Sequence, residues 1–485
     1  MQYLTFTSFS LLSFTSLTAA HSHPQCKAVP GTSSWPSASS WAKLNTSLSG
    51  GLIKSVPPGG VCHPDQPNYN NASCADVATL WYTSWRFYEN DPVGNAYPNW
   101  NNDSCLPSPL VPCTDNGYPV YVVNATTAED VKAGVDFARE NHVRLIVKAS
   151  GHDFRGRSVA PNSLSIWTHN LKGLTWHDTF TPSGCYGNNY PNAWDGWALT
   201  RAAGEDGGSA FAFANQYGGM IHVGGAPTVN PGGYVTGGGH SVISFQKGLA
   251  ADGILELTVV IPSGDIVTAN ACQNSDLFWG LCGGGGSTLG VIVNFTTKVW
   301  PSESVNEVSM VFGSPTLNAE KFWEAWSYLA AQFPRLLNSG VSCYASITPA
   351  NATIPNIFEG GFHGVNQTLN ETLGLLLPLA EYINATYKPD VESGILLAQQ
   401  WDSYYDWWIL HQDHSTPIGY DIAIGSRILD EPALTSPNLG RLFNQAVGQG
   451  GLTLNFVAGP GTHAYATDFN AVSPAWRTAY CHVSK

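Results

Sequence analysis

Charge is scarce in this chain. Asp, Glu, Lys and Arg make up 12% of its 485 residues, the 21 basic residues never form a run, and the 35 acidic ones leave a net charge of −14. A nucleic acid or an acidic membrane surface is thereby disfavoured as a partner, because either needs a concentrated basic face. Beyond the N-terminal stretch no apolar run reaches the roughly eighteen residues needed to span a bilayer. No Cys-x-x-Cys or His-x-x-x-His spacing occurs, so no zinc site is read and no metal is assigned. No Gly-Lys pair is followed by Ser or Thr, which excludes a P-loop and its ATP chemistry. Repeats and low-complexity blocks are missing as well, and a hydrophobic content of 43% speaks for a folded globular protein.

What is present points towards export. Met1 to Ala20 is apolar and hydroxyl-rich and ends in Leu17-Thr-Ala-Ala20, a small-residue pattern suited to signal-peptide cleavage, although its n-region has no Lys or Arg. Nine Asn-x-Ser/Thr sequons occur, at Asn45, Asn71, Asn102, Asn124, Asn294, Asn351, Asn366, Asn370 and Asn384. Of ten cysteines, Cys26, Cys62, Cys74, Cys105 and Cys113 crowd into the first quarter, as expected of a stapled segment in an oxidising compartment. Spacing favours Cys105 with Cys113 and, less strongly, Cys62 with Cys74, while the full connectivity stays open. A secreted, extracellular protein is the expectation. Cleavage after Ala20 would also expose His21 next to His23, the amine-and-imidazole chelator of a copper enzyme; that remote alternative needs a further histidine in space.

The length suits two or three domains. Residues 21–112 read as a disulfide-tied, loop-rich entry segment with a helix near Ala75 to Tyr88. From Tyr118 to Val123 a strand is predicted, then a capping box at Thr126-Thr-Ala-Glu129 opening a helix to about Asn141, then a strand from Val143 to Val147. Further strands are predicted at Ser163–Thr168, Ala198–Ala202, a hairpin Ile254–Ile261 with Ile266–Ala269, and Gly290–Trp300, closing a domain over 113–301. Residues 302–485 form a second α+β domain, with helices near Ala319–Phe333 and Leu373–Tyr387 and strands at Val341–Ile347 and Leu452–Ala458.

Glycine is concentrated at three places. Lys148-Ala-Ser-Gly-His-Asp-Phe-Arg-Gly-Arg-Ser158 follows the Val143 strand; its Gly151 and Gly156 let backbone amides converge on an anion, with Lys148, Arg155 and Arg157 supplying charge. Gly224-Gly-Ala-Pro-Thr-Val-Asn-Pro-Gly-Gly-Tyr-Val-Thr-Gly-Gly-Gly-His-Ser241 is the second cluster and Gly283-Gly-Gly-Gly-Ser-Thr-Leu-Gly290 the third. Such density implies backbone contact with one long phosphate-bearing ligand. A Gly-x-Gly-x-x-Gly pattern can be laid on the third cluster, but not between a first strand and its helix, so a Rossmann site for NAD is a weak reading.

Ser150-Gly-His-Asp-Phe-Arg-Gly-Arg-Ser158, Thr228-Val, Gly237-Gly-Gly-His-Ser241 and Asp276-Leu-Phe-Trp-Gly-Leu-Cys-Gly-Gly-Gly-Gly-Ser-Thr288 together resemble the FAD-binding domain of the vanillyl-alcohol oxidase/p-cresol methylhydroxylase (PCMH) superfamily, closest to secreted fungal berberine-bridge-enzyme-like oxidases. The resemblance is dense from about Val120 to Trp300 and looser beyond. It implies an α+β fold in which a two-part FAD-binding domain of the PCMH type precedes an α+β substrate domain with an antiparallel sheet. FAD contacts are then expected from Lys148, Ser150, Gly151, His152, Asp153, Phe154, Gly156, Arg157, Ser158, Gly224, Gly225, Thr228, Gly232, Gly233, Tyr234, Gly237, Gly238, Gly239, His240, Ser241 and Val291. His152 is the expected covalent anchor, bonded to the flavin 8α carbon. Ala226 stands where many relatives carry a second, cysteinyl link, so one bond is expected. Phe154 replaces a frequent tyrosine, Asn230-Pro231 stands near the position tied to oxygen access, and Cys282 replaces a common arginine. Similar proteins continue beyond Lys485 with a stretch that completes the second domain, so this end reads as shortened.

The implied reaction is hydride transfer from an alcohol, amine or sugar-type substrate to the flavin, with O2 as acceptor giving H2O2. Tyr404, Tyr405, Tyr420 and Asp421 are base candidates by type, but the tyrosines of Trp401-Asp-Ser-Tyr-Tyr-Asp-Trp-Trp408 fit packing roles better, and no base is assigned. A flavin-binding pseudoenzyme is the alternative. The sequence leaves the oligomeric state open.

Overall fold

The computed structural model describes residues 26–187, 189–286, 288–314, 319–351, 354–413, 416–448 and 450–485. The signal-peptide stretch, His21, His23 and Ser287 lie outside the described residues. In the entry segment the single helix expected over Ala75–Tyr88 is two, Asn71–Thr83 and Trp85–Asn90. Ser84 divides them: its backbone is extended and its Oγ accepts the Phe87 amide at 3.3 Å, so it ends one helix and caps the next. Cys62–Cys74 and Cys105–Cys113 are bonded as their spacing suggested, and a third disulfide joins Cys185 to Cys272.

The β-α-β unit forms. Strands Tyr121–Asn124, Ser163–Trp167 and Arg144–Lys148 are parallel neighbours in that order, and Leu52–Lys54 adds antiparallel at one edge. Helix Ala128–Glu140 crosses between them, burying Val131, Val135 and Ala138. Its capping box sits one residue later than expected, on Thr127 and Asp130, because the Asp130 carboxylate also takes the amide of the distant Ser49 at 2.7 Å. A second sheet of five antiparallel strands runs in the order Leu174–His177, Ala198–Ala202, Val291–Lys298, Ile254–Val260, Ile266–Asn270. One face of it shares a core with the first sheet, Phe295, Leu257 and Ala269 meeting Val123, Leu164 and Ile166. The long closing strand stops at Lys298, and Trp300–Pro301 pairs instead with Gly219–Met220.

Beyond it, seven strands build one antiparallel sheet, ordered Glu392–Trp401, Val305–Gly313, Ile357–Val365, Val341–Thr348, Leu452–Phe456, Ala479–Ser484, Ser426–Asp430. Alternation along these strands separates two faces. Met310, Phe312, Phe358, Phe362, Cys343, Ile347, Leu454 and Phe456 are buried in one core with residues of helices Ala319–Ala330, Phe333–Asn338 and Leu369–Tyr387. Glu307, His363, Tyr344, Asn455 and His482 alternate with them on the opposite face. Near the C-terminus the chain returns to the first half: Ala471 donates to the carbonyls of Trp279 and Cys282, and Arg477 forms a two-point ion pair with Asp252. Among the described residues no helix is long and apolar enough to cross a membrane.

Candidate functional site

The strand Arg144–Lys148 ends in the His152 loop, whose shape is set by its own residues. Asp153 accepts the amides of Arg155 and Arg157, folding the loop back on itself. Gly156 has φ +70°, and a Cβ there would lie 2.5 Å from the Trp100 ring, so only glycine fits. His152 is clamped from two sides. Its Nε2 lies 2.6 Å from Thr228 Oγ1 of the second glycine cluster, and the Trp85 indole stacks on its ring at 3.7 Å. Burial holds the imidazole neutral, its pKa pushed down to about 3; the charge of Asp413 opposes that shift and Lys148 adds to it.

The three glycine clusters, far apart in sequence, converge. His152 and Thr228 join the first to the second. The Gly285 amide donates to the Thr236 carbonyl at 2.7 Å, joining the third to the second. The Arg157 guanidinium lies 3.5 Å from where a Cβ of Gly285 would sit, joining the first to the third. The second cluster bends back on the turn Ala250–Gly253, whose Ala250 and Ala251 amides donate to the carbonyls of Gly239 and Gly238.

Two features mark a site built for something more than these contacts. Space for a Cβ at Gly232 and Gly233 is open, with no heavy atom within 4 Å, so glycine there leaves the backbone bare instead of relieving a clash. Buried polar atoms nearby lack partners: Ser158 Oγ, the Tyr97 hydroxyl and both amide atoms of Asn230. Leaving such groups dry and unpaired costs about 1–3 kcal/mol each, which a ligand with polar atoms would offset. Tyr97 stacks on Phe154 at 5.1 Å, so this orphaned hydroxyl belongs to the His152 loop's own surroundings.

Other expected residues are placed differently. Lys148 turns beneath the loop, its ammonium fully buried against the carbonyls of Tyr88 and Ala149, and burial draws its pKa down to about 8. It braces the loop from behind. Val291 is a buried strand residue. Tyr234 donates to the His240 carbonyl, and Ser241 Oγ meets His222 Nδ1 at 2.8 Å. His240 faces the seven-stranded sheet, its Nδ1 3.1 Å from the Tyr344 hydroxyl. Tyr404 is a core residue against Phe211 and Trp407, Tyr405 packs on Phe211, and Tyr420 lies tilted against Tyr82 at the surface.

A base is expected on the sheet of the second domain, but the residues of its polar face were not named from the sequence. Glu307 receives the Trp407 indole N–H at 2.7 Å and lies 3.4 Å from His411 and 3.7 Å from His363. Two residues past His411, the amide of Asp413 donates to the carbonyl of Gly225. One short segment thus ties the sheet to the second glycine cluster. The polar alternation in Val341-Ser-Cys-Tyr-Ala-Ser-Ile-Thr348 carried this information and could have found Tyr344.

Residues 119–270 match the FAD binding domain family model. The FAD-linked oxidoreductase ZEB1 of Gibberella zeae is 31% identical over 97% of this chain and 80% of its own length. The VAO-type flavoprotein oxidase VAO615 of Thermothelomyces thermophilus is 38% identical over 68% of this chain, a stretch that spans 57% of that protein. The crystal structure of the VAO-type flavoprotein MtVAO615 from Myceliophthora thermophila C1 superposes with a TM-score of 0.84 at 30% identity, covering 95% of this chain and 82% of that one. Converging glycine loops, a neutral, half-buried histidine and a polar sheet face opposite them therefore stand in a chain that belongs to the FAD-dependent oxidoreductases of the vanillyl-alcohol oxidase/PCMH superfamily.

Proposed function

We propose that the chain is a secreted oxidase that carries FAD on His152 alone and oxidises an alcohol, amine or sugar-type small molecule, passing the electrons to O2 and releasing H2O2. The observation that carries the reading is the state of His152. In the tautomer whose Nε2–H donates to Thr228 Oγ1, the lone pair of Nδ1 is free, and the ring is neutral as a nucleophile must be. The unpaired Ser158, Tyr97 and Asn230 atoms and the bare Gly232–Gly233 backbone fit a polar, phosphate-bearing cofactor lying across the loops. Ala226 stands in an apolar cluster with Trp81, Trp85 and Tyr97, and offers no sulfur for a second bond.

When bound, the flavin supplies a hydride-accepting centre. The protein's own task is then the proton. Tyr344 and His240 are hydrogen-bonded at 3.1 Å on the polar sheet face, but burial disfavours both the phenolate and the imidazolium, so the pair orients a donor hydroxyl and neither is assigned as the base. Export is supported by the three disulfides and by the exposure of Asn45, Asn71, Asn102, Asn351, Asn366 and Asn370. Asn124 and Asn384 are half-buried with their amides bonded at both ends, so those sequons are not expected to be used.

The test is an absorption spectrum of purified protein before and after acid precipitation, with His152→Ala alongside. Flavin should stay with the wild-type pellet and leave the variant's. Equal release from both defeats the covalent part, and a colourless protein that cannot be reconstituted defeats the whole reading.

A further inference from the structure

Arg201 is a buried cation whose neighbouring acids are engaged by other partners. It lies on strand Ala198–Ala202, only 3% exposed, and its Nε has no hydrogen-bond partner. Among the described residues it forms no ion pair. The two acids in its neighbourhood are committed elsewhere: Asp206 binds Arg86 at 2.7 Å and caps the next helix through the Ser209 amide, and Glu205 accepts the Gly173 amide at 2.7 Å. The guanidinium lies over the Phe295 ring at 4.6 Å, a modest compensation for lost hydration. A buried, unpaired charge is costly enough that proteins seldom keep one without a counter-ion.

Its position says which counter-ion. Arg201 is in register with Phe295, which faces Leu257, which faces Ala269, a row that crosses the five-stranded sheet. Phe295, Leu257 and Ala269 lie in the core shared with the four-stranded sheet, so this face of the strand points between the two sheets. Tyr234 of the second glycine cluster, whose ring packs under Gly239, is close enough for its charge to act on Arg201. The guanidinium therefore stands between the two sheets, within electrostatic reach of the second glycine cluster.

We propose that Arg201 is the counter-cation for the pyrophosphate of the dinucleotide, the formal charge that backbone amides alone do not supply. This rests on the FAD reading above. Lys148, the residue whose sequence position suggested that role, is sequestered against carbonyls, and Arg157 is exposed and paired with Asp153. Arg201 meets two phosphate oxygens through a planar fork, the geometry guanidinium favours.

The test uses full-length protein with His152→Ala, so that binding is reversible, and compares it with the same protein carrying Arg201→Met or Arg201→Lys. ADP and riboflavin are titrated separately by calorimetry, and the ligand-free melting temperature is recorded. Loss of charge-assisted hydrogen bonds should weaken ADP roughly ten- to hundredfold in Arg201→Met and less in Arg201→Lys, with riboflavin unchanged. The ligand-free melting temperature of Arg201→Met should stay level or rise, because an uncompensated charge has been removed. A fall in that temperature, or parallel losses for ADP and riboflavin, would make Arg201 a structural brace and overturn the proposal. Unchanged ADP affinity in Arg201→Met would overturn it while leaving the FAD reading intact. Failure of the parent to bind ADP, riboflavin and FAD alike would remove the reading itself and the proposal with it.

Discussion

Replacing Arg477 by methionine tests how the C-terminal return supports the glycine loops. Arg477 NH1 and NH2 donate to Asp252 Oδ2 and Oδ1 at 2.9 and 2.8 Å, and NH2 also donates to Asn470 Oδ1 at 2.9 Å. Both side chains are shut off from solvent, 2% and 0% exposed. Methionine keeps most of the aliphatic stem but strands the carboxylate, whose remaining donors are the Leu249 amide and Asn470 Nδ2. Removing one partner of such a pair costs about 3–5 kcal/mol. Changing Asp252 to Asn as well removes the buried charge and should recover about 2 kcal/mol.

Urea unfolding of the wild type, Arg477→Met and the double variant, followed by tryptophan fluorescence at pH 7.5 and pH 5, measures each of these quantities. Flavin incorporation should fall in parallel, because Asp252 sits in the turn whose Ala250 and Ala251 amides hold the Gly239 and Gly238 carbonyls. A penalty below about 1 kcal/mol, or a double variant no more stable than the single one, contradicts the reasoning.

Acid should destabilise the protein through its buried histidines. His222 and His363 are each 3% exposed, and burial lowers their pKa values to about 3 and about 4. The unfolded chain binds their protons first, so stability is complete above about pH 6.5 and falls with pH from there, by about 2 kcal/mol per histidine at pH 5. A urea midpoint that stays flat between pH 7.5 and pH 5 would refute this, and His222→Gln should reduce the slope. Two glycines should behave in opposite ways. Gly156→Ala forces a Cβ to 2.5 Å from the Trp100 ring at φ +70° and should lower the ligand-free melting temperature, whereas Gly232→Ala meets open space and should leave that temperature level while weakening FAD. Calorimetry on both variants in the His152→Ala background separates the two effects.

Much of the first half was legible because its signals are local. Val143 to Val147 is an apolar, β-branched run bounded by a glycine loop, and the structure places a strand at Arg144–Lys148. The capping box was displaced by one because Thr126-Thr127 followed by Glu129-Asp130 allows two overlapping registers, and the Ser49 amide, 81 residues away, selects between them. The disulfides divide in the same way. Those closing separations of 8 and 12 residues could be read from spacing, while Cys185–Cys272, separated by 87, depends on which loops the five-stranded sheet brings together. Charge in a glycine loop suggests a phosphate partner for Lys148, whereas the partners it has in the structure, the carbonyls of Tyr88 and Ala149, are set by how the entry segment docks. Arg201 carries no local signal, since Ala198-Leu-Thr-Arg-Ala202 reads as an ordinary strand until its register with Phe295 is known.

The contacts that fix each glycine loop explain why a local motif can announce the cofactor without building its site. Gly151 is held close under the Gly94 carbonyl of the entry segment, Gly239 against Ala250, and Gly283 against Val472 from the C-terminal return. A Cβ at any of these positions would come within 3 Å of those atoms, so the loops owe their shape to partners outside themselves. Asp413 reaches the second cluster from the far sheet in the same manner. The matched domain at 119–270 therefore contains the first and second loops but neither Val472, Arg477 nor Asp413. The final shape of the cradle therefore depends on contacts from the second half of the chain, and the same contacts hold the polar sheet face opposite the loops.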